Sequence, residues 1–204
     1  TLTQLIEITK QLLPNEVIAL DKLYDKQTTI YNYQLFERMM IDNDLTDKVE
    51  IFGCPQGKDL DDWLDCYQFM LEQPLIKTIG LSKITVPYVF NNEDNEPFMK
   101  TDKRIMEGRH LCYDFLKKND LIHKPIHCLG AGDPREFIKY LNDDMMRSTD
   151  SCFTVWSAMN NIDWSKGNFE RIATPHDYFD RVVEKDKYQI IDNNIDFLKQ
   201  VLNR

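Results

Sequence analysis

Five short strand-like runs, each followed by a segment with helical spacing, narrow the possible folds more than any other feature. Val17-Ile18-Ala19-Leu20 is a continuous apolar run ending at Asp21, the pattern of a strand buried on both faces. Val49–Phe52, Ile76–Leu81, Pro125–Leu129 and Met145–Thr149 read as the next four strands. Helical spacing covers 2–13, 28–42, 59–73, 103–118 and about 135–141. Two further helices are expected at 175–183, with Thr174 as cap, and at 187–202. The helix from Asp59 has the cleanest stripe, with Leu60, Trp63, Leu64, Tyr67, Met70 and Leu71 on one face. Successive βα units imply parallel strands joined by right-handed crossovers. The expected fold is therefore α/β, an incomplete (β/α) barrel of about five parallel strands with C-terminal helices. A doubly wound sheet is the rival, and in both folds function sits at the C-terminal strand ends.

The organisation reads as one domain over 1–204, with a barrel remnant at about 14–160 and C-terminal helices at about 174–203. Segment 84–101 is the irregular stretch. Ile84, Val86, Tyr88 and Phe90 alternate there before a polar acidic turn, as in an extra strand or hairpin. Hydrophobic residues make up 42% of the 204 and charged residues 29%, which is globular and excludes a disordered or collagenous chain. No apolar run approaches the roughly 20 residues that span a bilayer, and no secretory signal is visible. Cys54, Cys66, Cys112, Cys128 and Cys152 form an odd set without CxxC spacing, which fits reduced, mostly buried thiols in a cytosolic protein. His110, His123, His127 and His176 lack ligand spacing, so neither a metal nor a cofactor is expected.

The net charge of −9 disfavours strong direct binding to nucleic acid and favours a basic protein partner. The same charge also serves plain solubility. Four alanines against 18 isoleucines, with many Lys, Asn and Asp, indicate AT-rich coding DNA.

Chemistry-capable groups stand at the strand ends: Asp21, Pro55-Gln56-Gly57-Lys58, Gly80-Leu81, Gly130-Ala131-Gly132-Asp133-Pro134 and Asp150. Each also has an ordinary explanation. A GxG turn before a helix lacks the third glycine of a dinucleotide fingerprint, Gln56 can satisfy its own loop, and Asp150 can cap a turn. In order, however, Pro-Gln-Gly-Lys at 55–58, Ile-Gly-Leu at 79–81, Gly-Ala-Gly-Asp-Pro-Arg at 130–135 and Thr-Asp-Ser-Cys at 149–152 resemble the tRNA-guanine transglycosylase family, whose fold is a TIM barrel. The resemblance covers about 17–160. It implies that Gln56, Gly57 and Gly80 hold a guanine edge and that Asp150 is the nucleophile, since a carboxylate can form a covalent glycosyl intermediate.

The departures point away from catalysis. The family's first three strands and its Asp-Ser-Gly-Gly turn have no counterpart, and only Cys152 and His176 lie where its zinc cluster belongs. Five strands cannot close an eight-strand barrel, and open edges call for a cover, self-association included. The expectation is a non-catalytic protein that binds a host protein. Size, acidity and base bias resemble the small early proteins of staphylococcal phages that bind the host primary sigma factor and inhibit transcription. The basic promoter-reading domain of that subunit of RNA polymerase suits an acidic partner. The alternative is a nucleobase transglycosylase acting on guanine or 7-deazaguanine through Asp150. Phe153, Trp156 and Trp164 are the expected exposed hot spot for a partner.

Overall fold

The computed structural model of the protein describes residues 1–91, 102–140, 143–170 and 172–202. Its helices are α1 (Leu2–Leu12), α2 (Lys26–Asp42), α3 (Leu60–Glu72), α4 (Thr85–Phe90), α5 (Asp102–Lys118), α6 (Phe153–Met159) and α7 (Tyr188–Leu202). The strands are β1 (Glu16–Ile18), β2 (Glu50–Gly53), β3 (Ile76–Leu81), β4 (Ile126–Cys128) and β5 (Met146–Thr149). Sequence chemistry sets several boundaries. Asp25 and Asp59 accept hydrogen bonds from the backbone N–H of Thr28 and Asp62, each 2.9 Å, and so start α2 and α3. Trp63, Tyr67 and Met70 of the α3 stripe are buried, together with Cys66 beside them, whereas Leu60 at its start faces solvent.

The five strands form one parallel sheet in the order β1-β2-β3-β4-β5. Glu16 pairs with Glu50, Ile51 with Ile76, and Ile79 with Ile126. An order that never reverses is that of a barrel wall, since a doubly wound sheet changes direction at its switch point. Curvature agrees. Arg147 on β5 donates to both carboxylate oxygens of Glu16 on β1, at 2.8 and 2.9 Å, and to the Thr78 hydroxyl on β3. In a flat sheet, four steps of about 4.8 Å would hold β1 and β5 roughly 19 Å apart, beyond the reach of an Arg–Glu pair. The sheet is curled, and this clasp ties its two edge strands together.

Three expectations change. Residues Thr85–Phe90 form helix α4, not a strand or hairpin, and residues 92–101 of that stretch lie outside the described residues. Pro87 explains the change, because it fits the first turn of a helix but breaks a strand ladder. The helix expected at 135–141 is a 3₁₀ segment, Pro134–Tyr140, and residue 141 lies outside the described residues. The helix expected at 175–183 shrinks to one 3₁₀ turn, Tyr178–Asp180. Tyr178 is turned inward, and the β-branched pair Val182-Val183 disfavours propagation.

Packing divides the chain into two compact units. The first holds Thr1–Leu129 with Asp144–Ser148, and the second Gly130–Asp143 with Thr149–Arg204. Among the described residues, no helix is long and apolar enough to cross a membrane.

Candidate functional site

In the first unit, the C-terminal ends of β1, β2 and β3 deliver a polar network that is buried at Gln56, Ser82 and Thr85 and reaches the surface at Asp21. Ser82 follows β3, and its hydroxyl accepts the N–H groups of Ile84 and Thr85, each 3.2 Å, which sets the start of α4. Thr85 is thereby aimed at the loop after β2, where its hydroxyl donates to Gln56 Oε1. The other end of the same amide, Nε2, donates to Asp21 Oδ2 beyond β1, and Cys54 Sγ lies 3.5 Å from it. The Gln56 side chain is fully buried, and its acceptor and donor ends are both engaged. Burial raises the Asp21 carboxyl above its ordinary value, against the opposing effect of its hydrogen bonds. Burial first, and the neighbouring Asp21 second, push the Cys54 thiol well up; burial takes Cys66 to about 11. Both thiols therefore stay protonated near neutral pH and are poor nucleophiles.

The two glycines expected to hold a base are also required by the packing around them. A Cβ on Gly57 would stand 2.3 Å from the backbone nitrogen of Trp63, so glycine is needed where this loop meets α3. A Cβ on Gly80 would stand 2.3 Å from the Phe52 ring and 3.1 Å from Leu129. Phe52 thus covers the backbone of Gly80. Its ring also meets His127 edge-on at 5.1 Å, and His127 Nδ1 lies 2.8 Å from the Ser148 hydroxyl. Arg109, fully buried on α5, donates to the Leu129 carbonyl at 2.6 Å and fixes the end of β4.

Asp150 belongs to the second unit. Its carboxylate accepts the N–H of Gly130 at 2.9 Å, bracing the turn in which Gly130 has φ +59°. In the same turn, Asp133 accepts the N–H of Arg135 at 2.9 Å and also pairs with its guanidinium. The expected exposed hot spot is overturned. Phe153, Trp156 and Trp164 are only 3–5% exposed and form the core of this unit with Ile162 and Tyr178. Outside the sheet, these rings are the main apolar material available to this unit, so they fill its interior.

Asp21 and Gln56 are therefore brought together, while Gly57 and Gly80 serve packing. Thr85, Phe52 and Arg109 are members that sequence reasoning missed. None of the three carried a motif signal; Thr85 is placed by the Ser82 hydroxyl that accepts its N–H. Among the described residues no group of three or more His, Cys, Asp or Glu side chains could hold a metal ion. Searches for relatives found no protein-family model that matches the chain and no curated protein significantly similar to it.

Proposed function

We propose that this chain is a non-catalytic, transglycosylase-like barrel protein of a bacteriophage that binds a basic host protein and inhibits transcription. The partner is the promoter-reading region of the primary sigma factor of RNA polymerase. The observation that carries the non-catalytic half is the occupancy of the base-reading groups. Gln56 is spent between Asp21 and Thr85, and the Phe52 ring covers Gly80. A guanine would have to break one contact and displace the other, leaving buried polar groups unpaired. Asp150, the nucleophile of the alternative reading, is engaged as a turn brace. The partner half rests on the net charge of −9, which steers association with a basic surface and loses strength as salt rises.

The test is affinity capture from bacterial host lysate at low and high salt, with retained proteins identified by mass spectrometry. Salt-sensitive recovery of RNA polymerase or its sigma subunit is the expected result; recovery of neither overturns the reading. A guanine-exchange assay into nucleic acid completes it. Turnover that disappears in Asp150→Ala would replace this reading by the enzyme.

A further inference from the structure

The loop after β1 presents Leu20, Leu23 and Tyr24 at 37–43% exposure, and Leu60 at the start of α3 is 36% exposed. The Gln56 bond to Asp21 and a second set of contacts, Lys26 at the start of α2 to Asp62 and Asp65 of α3 at 2.8 and 2.9 Å, draw these two segments together. Tyr24 also rests against Tyr88 of α4, with ring centroids 4.9 Å apart. Four large apolar side chains thus stand at the C-terminal strand ends of a well-packed unit, and apolar groupings on such a rim mark interaction sites. The charges around them select the partner. Along residues 20–26 and 58–65, Asp21, Asp25, Asp59, Asp61, Asp62 and Asp65 are set against three lysines, Lys22, Lys26 and Lys58. All three lysines pair with Asp25, Asp62 or Asp65, and among the described residues no cation pairs with Asp21, Asp59 or Asp61. Phe179 and Val182 in the second unit are more exposed, at 88% and 85%. Their surroundings, Asp177, Asp180, Glu184 and Asp186 against Arg181, Lys185 and Lys187, are nearly balanced and select no charge.

We infer that the rim of Leu20, Leu23, Tyr24 and Leu60 is the docking surface for a Lys/Arg-rich protein segment, whose apolar side chains cover the patch while its cations meet Asp21, Asp59 and Asp61. This rests on the partner reading above and names the surface that serves it.

Purified bacterial primary sigma factor is the probe, titrated against the full chain. The rim variant is Leu23→Ser with Tyr24→Gly. Tyr24 sits at φ +63°, where glycine carries no Cβ penalty, so the ring is removed without straining the backbone. Asp61→Lys, on the exposed face of α3, is the charge variant, and Phe179→Ser with Val182→Ser is the control. The rim variant is expected to bind about tenfold or more weakly. Asp61→Lys should lower affinity at low salt and flatten its salt dependence, and the control should bind like the parent. Rim variants that bind like the parent overturn the surface and leave the partner reading standing. A parent that does not bind overturns both. Self-association that the rim variant abolishes, with sigma binding intact, makes a second copy the occupant and overturns the proposal.

Discussion

The two units solve the burial of backbone polar groups in different ways. In the first, parallel strands satisfy one another along the ladder, so the space against them is filled mostly by apolar volume, and buried polar side chains such as Gln56, Thr85 and Arg109 gather beyond the strand ends. Val17, Ile51, Ile76, Ile79 and Ile126 supply that volume, with Cys54, Cys66, Cys112 and Cys128 acting as small hydrophobes. The second unit has one seven-residue helix, one longer helix and several 3₁₀ turns, so side chains complete the hydrogen bonding. Asn194, fully buried on α7, accepts the Trp164 N–H at 2.8 Å and donates to the carbonyls of Thr154 and Ile162, each 3.1 Å. Trp156 Nε1 donates to the Ile172 carbonyl at 2.9 Å, and the Tyr178 hydroxyl to that of Cys152 at 3.3 Å. Where a ladder exists, it meets most of the backbone's needs and polar side chains are called on mainly where the strands end. Where no ladder exists, a core is built from side chains that carry both an apolar body and a polar handle.

The sharpest way to break this contrast is Trp156→Ala. Losing a buried tryptophan costs about 3–5 kcal/mol, enough to open a small core. The expected outcome is alkylation of Cys152 in mild urea, while Cys54, Cys66, Cys112 and Cys128 of the first unit stay protected. If all five thiols react together, the chain unfolds as one cooperative structure and the contrast fails. Asn194→Ala asks whether the polar knot matters as much as the rings. It strands one N–H and two carbonyls inside the unit, at a cost of about 3 kcal/mol read from urea unfolding. Asn194→Asp, which keeps only the acceptor, should fall between it and the parent. A loss below about 1 kcal/mol for the alanine variant would make the knot incidental.

The clasp of the first unit should weigh less. The Arg147 side chain is 42% exposed and Glu16 17%, so the pair is screened, and its coupling in a double-mutant cycle of Arg147→Met and Glu16→Gln is expected near 1 kcal/mol. A coupling of zero would mean that the sheet holds its curl without help from the edge strands.

The first unit was also the more legible in sequence, for the same reason. Strands buried on both faces and amphipathic helices leave a period that survives without any tertiary knowledge. The five strands and the helices from Lys26, Leu60 and Asp102 therefore fall close to where they were expected. Helix α6 was missed because seven residues span barely two turns, too short a window for the spacing of Phe153, Trp156 and Ser157 to register. At the site, Asp21 and Gln56 were visible as polar residues at strand ends. Their joining through Thr85 was not, because the alternation of Ile84, Val86, Tyr88 and Phe90 masks the start of α4. The Phe52 ring over Gly80 was hidden too. It depends on the register of β2 against β3, which shifts between Ile51 and Phe52.

The smallest expected effect separates stability from binding at Asp21. Its carboxyl is raised in the folded protein, chiefly by burial, so the folded chain holds this proton more tightly than the unfolded one. That contribution is fully present below about pH 4, the unfolded value, and is lost as pH rises through the folded value. At neutral pH the ionised group therefore weakens the fold. Asp21→Asn keeps an acceptor for Gln56 Nε2 and removes the charge. The variant should be more stable than the parent at pH 7 by a few tenths of a kcal/mol, the gap closing by about pH 4. Urea midpoints at both values measure it, and a variant less stable at pH 7 would mean that the hydrogen bonds to the carboxylate outweigh its burial. Binding to a basic partner should move the other way, since the variant gives up one of three rim carboxylates that no cation among the described residues pairs with. A substitution that strengthens the fold while weakening the complex would identify Asp21 as a charge kept for the partner at the fold's expense.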